Sequence, residues 1–428
     1  MTALETARSV RRTARPRQGR RERAATAVAV TGLGIVAPNG LGTEEYWSAT
    51  LRGEVAIRRL TRFDPARFPA CLAGEIDGFQ PEEHLPVRLL TQTDRVTEFA
   101  LVAADRALAD AGVTSESFAD FAIGVVTASA AGGFEFGQNE LQKLWSLGGS
   151  HVSAYQSFAW FYAVNTGQIS IRNDLRGGGA AMVADQAGGL DAVAAARRAV
   201  TREHEPMSAV VTGGVDASLC PWGWAAQTVV PEVSRSEDPE RAYLPFDREA
   251  RGYVPGEGGA LLIVEDPAGV PERGCQPYGL ITGHGSVFEP DEGPAGLIRS
   301  IGAALADAGL DPADVDLVFA DAAGTREADA AEAEALHSVF GEATVPVTAP
   351  KSMIGRLSSG GAPVDLAAAL LSIRDQVIPP TVGVHAAPEL GLDLVVGAPR
   401  PHKLRTVLVL ARGRRGFVSA MVVEAVSP

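Results

Sequence analysis

Short runs of consecutive apolar residues recur along this chain, and Ala-rich stretches separate them. Such runs are typical of strands that are buried on both faces, whereas a strand with one face in water alternates apolar and polar residues. We predict strands at the following positions: Val28–Val36, Phe121–Val126, Met207–Thr212, Gly259–Val264, Tyr278–Val287, Val315–Ala320, Leu404–Leu410 and Ser419–Glu424. Ala192–Val200 and Asp365–Ile373 are typical of helices. Strands that alternate with helices favour an α/β fold built from βαβ units.

Two short patterns occur twice in the same order, which indicates an internal duplication. The strand-and-turn pattern of Thr31–Val36 returns at Thr282–Val287, and Ala107–Val113 returns at Ala304–Leu310. The second pattern predicts a helix that ends at a left-handed glycine. We place the boundary between the halves in a Pro- and Gly-rich stretch, which gives the segments 26–268 and 269–428. A dinucleotide-binding turn is disfavoured, because the third glycine of its fingerprint is missing.

The formal net charge of −14 is spread unevenly. Residues 1–25 hold eight arginines and two glutamates, a net charge of +6, so the rest of the chain carries −20. This composition predicts a basic disordered N-terminal tail. A solvated tail, an upstream start codon, a transit peptide and a nucleic-acid contact are all compatible with it. The acidic remainder argues against nucleic acid as the main partner.

The composition also narrows the class of protein. No apolar run reaches the length of about 18 residues that a membrane span requires, so we expect no membrane association. Cys71, Cys220 and Cys275 are spaced neither as a metal site nor as a disulfide framework. We interpret them as packing residues of a cytoplasmic protein that holds no metal.

Gln186 marks the first candidate site. The segment Met182–Ala192 predicts a buried strand, a sharp turn and the start of a helix. A side chain on such a turn lies at a helix N-terminus, where free N–H groups favour a developing anion, and nucleophiles are often placed there. A Gln amide is neither a nucleophile nor a base near neutral pH. The turn is therefore either structural only, or a reactive site that has been silenced.

Four ordered segments resemble signatures of the β-ketoacyl synthases, and the resemblance runs from about Val28 to Val423. The segments are Asp185–Ala192, Pro245–Gly259, Lys351–Gly355 and Gly416–Met421. The resemblance implies a thiolase-like α/β fold, in which two similar halves form a five-layered αβαβα sandwich. That expectation agrees with the duplication.

The departures from the family pattern concern the catalytic residues. β-Ketoacyl synthases use a Cys nucleophile and two His, and the resemblance assigns Gln186 to the Cys position and Ala323 and Arg356 to the His positions. Of the catalytic set only Lys351 remains. The resemblance assigns the loop that gates the pocket, which we call the gate loop, to Gly413-Arg414-Arg415-Gly416. Condensation needs a thiolate that accepts the acyl group and donors that stabilise an enolate. Without them, the resemblance implies a site that does not condense.

The pattern is most similar to the β subunits of type II polyketide synthase ketosynthases, known as chain length factors. Phe158–Gln168, Pro221–Trp224 and Gly132–Phe136 support this resemblance. It implies a heterodimer with a Cys-bearing ketosynthase α subunit. It also implies a tunnel that holds the poly-β-keto intermediate of an aromatic polyketide, such as an antibiotic precursor. The substrate would arrive on the phosphopantetheine arm of an acyl carrier protein, so we expect no cofactor in this subunit.

One predicted helix face carries the candidate chain-length residues. Phe134, Gly137, Leu141 and Trp145 recur at helical spacing, and the resemblance implies that this face lines the tunnel. A small residue such as Gly137 would leave volume, which predicts a mid-length or long chain and a shorter product after Gly137→Phe. An ordinary amphipathic helix remains the alternative. Trp222 and Trp224 either close the far end of the tunnel or belong to the core.

The arginines of the altered site allow two interpretations. Arg356, Arg414 and Arg415 could pair with Asp321 and Glu257 as a structural plug, or the gate-loop arginines could attract an acidic carrier protein. Two other functions stay open. One is an autonomous malonyl-carrier-protein decarboxylase with a rearranged site at Gln186 and Lys351. The other is a protein that binds acyl groups or a carrier protein without an α subunit.

Overall fold

A computed structural model of the chain describes residues 26–291, 293–342 and 344–426. The basic tail predicted for residues 1–25 lies outside the described residues. Every predicted strand coincides with an observed one, with shifts confined to the ends. The strands are β1 (Val28–Val36), β2 (Ile57–Arg59), β3 (Leu72–Gly74), β4 (Ile123–Ala128), β5 (Gly179–Met182), β6 (Ala209–Asp216), β7 (Gly258–Glu265), β8 (Gly279–Phe288), β9 (Leu317–Phe319), β10 (Pro346–Thr348), β11 (Val377–Ile378), β12 (Asp393–Leu394), β13 (Arg400–Pro401), β14 (Thr406–Gly413) and β15 (Phe417–Glu424).

The helices predicted at Ala192–Val200 and Asp365–Ile373 are present and are longer than expected. The α-helices are α1 (Thr43–Leu51), α2 (Val87–Leu90), α3 (Arg95–Ala111), α4 (Phe134–Leu147), α5 (Gln156–Ala159), α6 (Val164–Arg172), α7 (Gly188–Thr201), α8 (Pro221–Thr228), α9 (Pro294–Ala308), α10 (Arg326–Phe340) and α11 (Gly361–Asp375). No helix within the three described ranges is long and apolar enough to cross a membrane.

The sheet topology confirms the duplication. The main sheet has eleven strands in the order β12-β10-β9-β14-β15-β8-β1-β7-β6-β4-β5. From the junction outward, β1-β7-β6-β4-β5 and β8-β15-β14-β9-β10 follow the same path, with antiparallel pairs first and parallel pairs last. The two halves meet where β1 pairs with β8 in an antiparallel arrangement.

The apolar side chains form three large clusters that define five layers. The central cluster contains α7 and α11 together with the inner faces of strands from both halves. A second cluster packs α3 on the outer face of the first half, and a third packs α9 and α10 on the outer face of the second half. Helix, half-sheet, central helices, half-sheet and helix therefore succeed one another, which is the αβαβα sandwich that the resemblance implied.

The two repeated sequence patterns contact each other in space. A Cβ atom on Gly32 of β1 would lie 2.2 Å from the carbonyl oxygen of Ala107 in α3. The equivalent Cβ on Gly283 of β8 would lie 2.2 Å from the carbonyl oxygen of Ala304 in α9. The strand glycines recur because the outer helix of each half lies directly on the strand backbone, where a side chain has no space.

This close packing predicts opposite effects for two Gly→Ala substitutions. Gly283→Ala inserts a methyl group against backbone and should destabilise the protein by about 1–3 kcal/mol. Gly302→Ala lies on the exposed side of α9, with open space around the new Cβ, and should stabilise it by about 0.5–1 kcal/mol. Thermal melting of both variants checks the pair. A Gly283→Ala variant as stable as Gly302→Ala would contradict the packing described for β8 and α9.

Candidate active site

The turn that carries Gln186 has the shape that the sequence predicted. Asp185–Ala187 form one 3-10 turn, and α7 begins directly afterwards. Asp185 has a φ of 48°, which is uncommon for a residue other than glycine, so the chain reverses sharply at this point. Gln186 is half-buried and lies at the N-terminus of α7. A Cβ atom on Gly361, at the start of α11, would lie 3.3 Å from the Oε1 atom of Gln186.

The strand before this turn is not buried, so that part of the prediction is wrong. β5 is the last strand on its side of the sheet, and Gly179 is exposed while the other residues of the strand are half-buried. The apolar run had indicated a central strand. The described chain supplies no further strand beside it, and this leaves one edge of β5 open.

The gate loop lies against the Gln186 turn. It is the hairpin between β14 and β15, and its Arg414 N–H donates to the Asp185 carboxylate at 2.8 Å. A Cβ on Gly413 would approach the carbonyl oxygen of Ala184 to 2.6 Å, so only glycine allows this contact. The Arg414 and Arg415 side chains are exposed, and the Arg414 Nε atom lies 3.7 Å from the Asp185 carboxylate.

Arg356 forms a buried ion-pair network that centres on Asp321. Its guanidinium donates to both carboxylate oxygens of Asp321, at 3.2 and 3.0 Å, and to the carbonyl oxygen of Arg412 at 3.0 Å. It also lies 5.5 Å from the ring centroid of Tyr253, within range of a cation–π contact. Both charged groups are almost fully buried. The position that the family resemblance assigns to a His therefore holds a permanent cation in a fixed geometry.

Arg412 and Glu332 complete this network, and sequence reasoning missed both. The Arg412 Nε atom lies 3.3 Å from the Asp321 carboxylate, and its guanidinium reaches Glu332 at 3.2 Å. Glu332 accepts hydrogen bonds from the backbone N–H groups of Asp321 and Ala322, at 2.7 and 2.9 Å. An arginine at the end of the apolar run of β14 was the available signal, because a charge there needs a buried partner.

The network shifts the pKa values of its members. Burial alone would raise the pKa of Asp321, but Arg356, Arg412 and Lys351 outweigh that effect and hold the pKa below its ordinary value. Burial raises the pKa of Glu332, and Arg412 offsets only part of this shift. Burial likewise acts to lower the pKa of Arg356, yet Asp321 outweighs it and the pKa is raised. Asp321 and Arg356 are therefore both charged at neutral pH, and neither can transfer protons there.

Ala323 and Lys351 lie beside the same network. Ala323 belongs to the loop after β9, and its half-buried methyl group offers no hydrogen-bond donor. The Lys351 ammonium donates to the carbonyl oxygens of Ala320 and Asp321, at 2.8 and 3.0 Å. It also forms an ion pair with Asp365 of α11 at 2.7 Å. The retained lysine thus holds the loop that carries Ala323.

The structure confirms the pairing predicted for Arg356 and gives Glu257 and Arg414 other contacts. Arg356 pairs with Asp321, as expected. Glu257 instead pairs with Arg95, whose guanidinium donates to both of its carboxylate oxygens, at 2.9 and 2.7 Å. Arg414 faces Asp185. Glu257 is committed to Arg95 because both lie on the side of the site that α3 covers, which the order of residues along the chain did not reveal.

The helix α4 carries the candidate chain-length face. Phe134 packs against Trp222 with the rings tilted by 40° and 4.7 Å between ring centroids. Gly137 is buried beside the same Trp222, whereas Leu141 is 37% exposed. Trp145 is 83% exposed. The structure therefore brings Phe134, Gly137 and Trp222 together and leaves the far end of the face uncovered.

The space beside Gly137 is occupied, contrary to the expectation of free volume. A Cβ atom at this position would lie 2.7 Å from the Cδ1 atom of Trp160 and 3.4 Å from the Trp222 ring. Sequence reasoning missed Trp160 in this role, because residues from another segment of the chain fill the gap. The nearby glycines at 132 and 133 were the available signal, since clustered glycines indicate close approach of a second backbone.

Of the two tryptophans in α8, only Trp222 lies near the candidate face. Trp224 is fully buried, and its indole N–H donates to the carbonyl oxygen of Ala70 at 3.0 Å. It packs in a small cluster with Leu60 and Leu219. Trp224 is therefore a core residue, which was the second of the two interpretations, and it closes no tunnel within this chain.

Exposed apolar side chains lie on α4, on α6 and in the segments that follow α5 and β5. Helix α5 contacts α4, and α6 contacts β5. We call this surface the apolar face, and it includes the exposed residues Leu144, Trp145, Leu147, Phe161, Tyr162, Ile171 and Val183. Exposed apolar surfaces of this kind, next to an unpaired strand edge, are typical of protein–protein interfaces.

Two family descriptions together match most of the chain. Residues 25–268 match the β-ketoacyl synthase N-terminal domain, and residues 276–385 match the β-ketoacyl synthase C-terminal domain.

Two curated relatives span almost the whole chain. The actinorhodin polyketide putative β-ketoacyl synthase 2 of Streptomyces coelicolor is 56% identical over 94% of this chain and 99% of its own length. The tetracenomycin polyketide synthase ketoacyl synthase β subunit of Streptomyces glaucescens is 56% identical over 93% of this chain and 98% of its own length.

Solved structures share the fold at lower sequence identity. One is a type II polyketide synthase acyl-carrier protein in complex with its ketosynthase bound to the hexaketide, with a TM-score of 0.84 at 24% identity over 93% of this chain and 99% of that chain. Another is the ishigamide ketosynthase/chain length factor, with a TM-score of 0.83 at 23% identity over 94% of this chain and 99% of that chain. Both likenesses support the thiolase-like fold.

The buried network predicts a pH-dependent cost of removing Arg356. Arg356→Met leaves Asp321 charged and poorly compensated, which should cost about 3 kcal/mol at neutral pH. The folded-state pKa of Asp321 lies below the value of about 3.9 for an unfolded Asp, so its stabilising contribution is present above that pH and lost as the pH falls. The difference in melting temperature between the wild type and Arg356→Met should therefore be largest near pH 7 and shrink below about pH 4.

Two further variants test this interpretation. The double variant Asp321→Asn/Arg356→Met removes the uncompensated charge and should melt above Arg356→Met at pH 7. Arg52→Met, which breaks the exposed pair with Glu54, should change stability by less than about 1 kcal/mol. A double variant less stable than Arg356→Met would mean that Asp321 does not depend on the Arg356 charge.

Proposed function

The chain belongs to the β-ketoacyl synthase family, and from this premise we propose that it is the catalytically silent β subunit, or chain length factor, of a type II polyketide synthase. In this role it pairs with a Cys-bearing ketosynthase α subunit and shapes the tunnel that sets the length of the poly-β-keto chain. The replacement of the catalytic residues at the altered site carries this proposal. The family's nucleophile turn is intact but bears Gln186, and the ion pair between Arg356 and Asp321 occupies a former His position.

The chemistry of the three altered positions supports the proposal that this chain does not catalyse condensation. Acyl transfer requires a nucleophile, and the Gln186 amide cannot form a thioester. Loss of carbon dioxide from a malonyl group generates an enolate, which needs hydrogen-bond donors near the reacting carbonyl. Ala323 offers none. Arg356 keeps its proton and is already committed to Asp321 and to the Arg412 carbonyl oxygen.

The apolar face supports pairing with a second subunit. The open edge of β5 presents backbone N–H and C=O groups to a strand from a partner, and such pairing would extend the sheet across the interface. The exposed apolar side chains beside it would lose contact with water at the same time. A related subunit with its own β5 edge is the partner that fits best, because the same edge geometry is available on both sides.

The surface of the gate hairpin supports contact with the acyl carrier protein. Arg414 and Arg415 are exposed on the hairpin, which contacts the Gln186 turn through Asp185 and lies beside the exposed aromatic pair Phe288 and Phe417. Exposed cations steer an acidic partner through long-range attraction, which acts mainly on the rate of association. We propose that these arginines attract the carrier protein that delivers the chain to the heterodimer.

The proposal predicts a heterodimer in which only the partner carries acyl groups. This chain, co-expressed with a Cys-bearing ketosynthase α subunit, should form a 1:1 complex that elongates malonyl-carrier protein. Native mass spectrometry and intact-mass analysis of each subunit check both points, because a covalent acyl group adds mass only to the subunit with a nucleophile.

The controls separate the competing functions. Replacing the nucleophilic Cys of the α subunit should abolish both the label and elongation. Carbon dioxide released from malonyl-carrier protein by this chain alone would favour a decarboxylase. A stable homodimer that binds a carrier protein but ignores every α subunit would favour a partner-free binding protein. Acyl label on this chain would overturn the silent site.

Charge reversal on the gate hairpin should weaken carrier-protein binding. Arg414→Glu/Arg415→Glu should lower the association rate constant with the carrier protein by about tenfold or more at low ionic strength, and less at high salt. Surface plasmon resonance on the heterodimer measures this rate. Arg88→Glu, on the exposed surface of α2, is the matched control and should leave the rate near that of the wild type. If the hairpin variant bound the carrier protein as fast as the wild type, the arginines would not have the proposed role.

A further inference from the structure

A cluster of glycines lets one aromatic segment lie directly on the start of α4. A Cβ on Gly132 would lie 2.6 Å from the Trp160 carbonyl oxygen, and a Cβ on Gly133 would lie 2.1 Å from the Ala159 carbonyl oxygen. The Gly133 N–H also donates to the Trp160 carbonyl oxygen at 3.1 Å. These contacts involve backbone atoms only, so the path of the segment does not depend on which side chain Trp160 carries.

The contact at Gly137 is of a different kind, because it is made by the Trp160 side chain. A Cβ on Gly137 would lie 2.7 Å from the indole Cδ1 and 3.4 Å from the indole Nε1. The indole can therefore lie across position 137 because glycine has no side chain there. The indole is nevertheless 46% exposed, and the Trp222 ring that also lies near Gly137 is 38% exposed. A large apolar ring in that position forms a wall whose other side is free to meet a ligand or a partner.

We propose that the Trp160 indole, acting together with Gly137, determines how long a poly-β-keto chain this subunit accommodates. The inference rests on the proposed function, because it assumes that the α4 face lines the tunnel at the heterodimer interface. It assigns the limiting wall to a residue outside α4. The volume that a small residue at 137 would release is taken up by Trp160, so the pair sets the available length and neither residue does so alone.

This arrangement predicts opposite shifts for two single variants. Trp160→Ala removes the wall while the backbone contacts of the segment stay in place, so the main product should become longer by a two-carbon unit or more. Gly137→Phe drives a ring into the space beside the indole, so the product should become shorter. Because a pocket discriminates a single methylene by about 10- to 200-fold, the ratio of longer to shorter products should change by roughly tenfold or more.

The two substitutions should also be coupled. In Gly137→Phe/Trp160→Ala the new ring takes up space that the indole has left, so the product length should return toward that of the wild type. Effects of residues that share one contact are not additive, whereas independent sites would give the sum of the two shifts. Tyr155→Ala is the matched control, because Tyr155 lies on the same segment with similar exposure but turns its ring to Phe158. It should leave product length unchanged.

The experiment compares products of heterodimers reconstituted with the α subunit, the carrier protein and malonyl-carrier protein, by liquid chromatography and mass spectrometry. Native mass spectrometry of each variant establishes that the complex is intact. If the wild-type complex neither forms nor elongates, the proposed function fails, and this inference fails with it. If intact, elongating Trp160→Ala and Gly137→Phe complexes make the wild-type product, the inference alone is overturned. Should Trp160→Ala lose its partner, the milder Trp160→Phe decides in the same way, and an unchanged product length there also overturns it.

Discussion

The buried carboxylate of Asp321 is the constraint on which the altered site depends. A charge that is withdrawn from water must be matched nearby, and Arg356 and Arg412 both reach this carboxylate. Arg356 follows the turn that carries Lys351, Arg412 leads into the gate hairpin, and Asp321 begins the loop of Ala323. These two ion pairs to one carboxylate therefore hold together three segments that a condensing enzyme would use for catalysis. In the proposed silent role, these positions are committed to structure and also lack a thiol or an imidazole.

The duplicated fold explains why these segments meet. The Gln186 turn follows β5 in the first half, and the Lys351 turn follows β10 in the second half, which occupies the equivalent place in the sheet. Loops that follow parallel strands gather at the same edge of a sheet. The junction between β1 and β8 then places the two edges on either side of the central helices α7 and α11. A site assembled from both halves is thus a direct consequence of the topology.

In the proposed role as a silent subunit, the surfaces of this chain carry its function. The edge of β5, the apolar face and the gate hairpin all lie outside the buried network, and each offers a different kind of contact: backbone pairing, apolar burial and positive charge. The Trp160 segment belongs to the same surface. A rigid interior stabilised by buried ion pairs supports these contacts, because it holds the surface elements in defined positions without itself taking part in the chemistry.

The sequence by itself predicted the long strands of the main sheet, the duplication and the family, and the family resemblance assigned the replaced catalytic residues. Apolar runs predict strands because the pattern lies within each strand, and the echo of Gly32 in Gly283 is visible because the duplication repeats it along the chain. Only the tertiary structure decided which charges pair and which spaces are filled. Glu257 joins Arg95, Arg412 joins Asp321, Trp224 lies in the core, and Trp160 occupies the space beside Gly137. These contacts join residues distant in sequence, and their geometry depends on how the layers pack, which no local pattern of residues specifies.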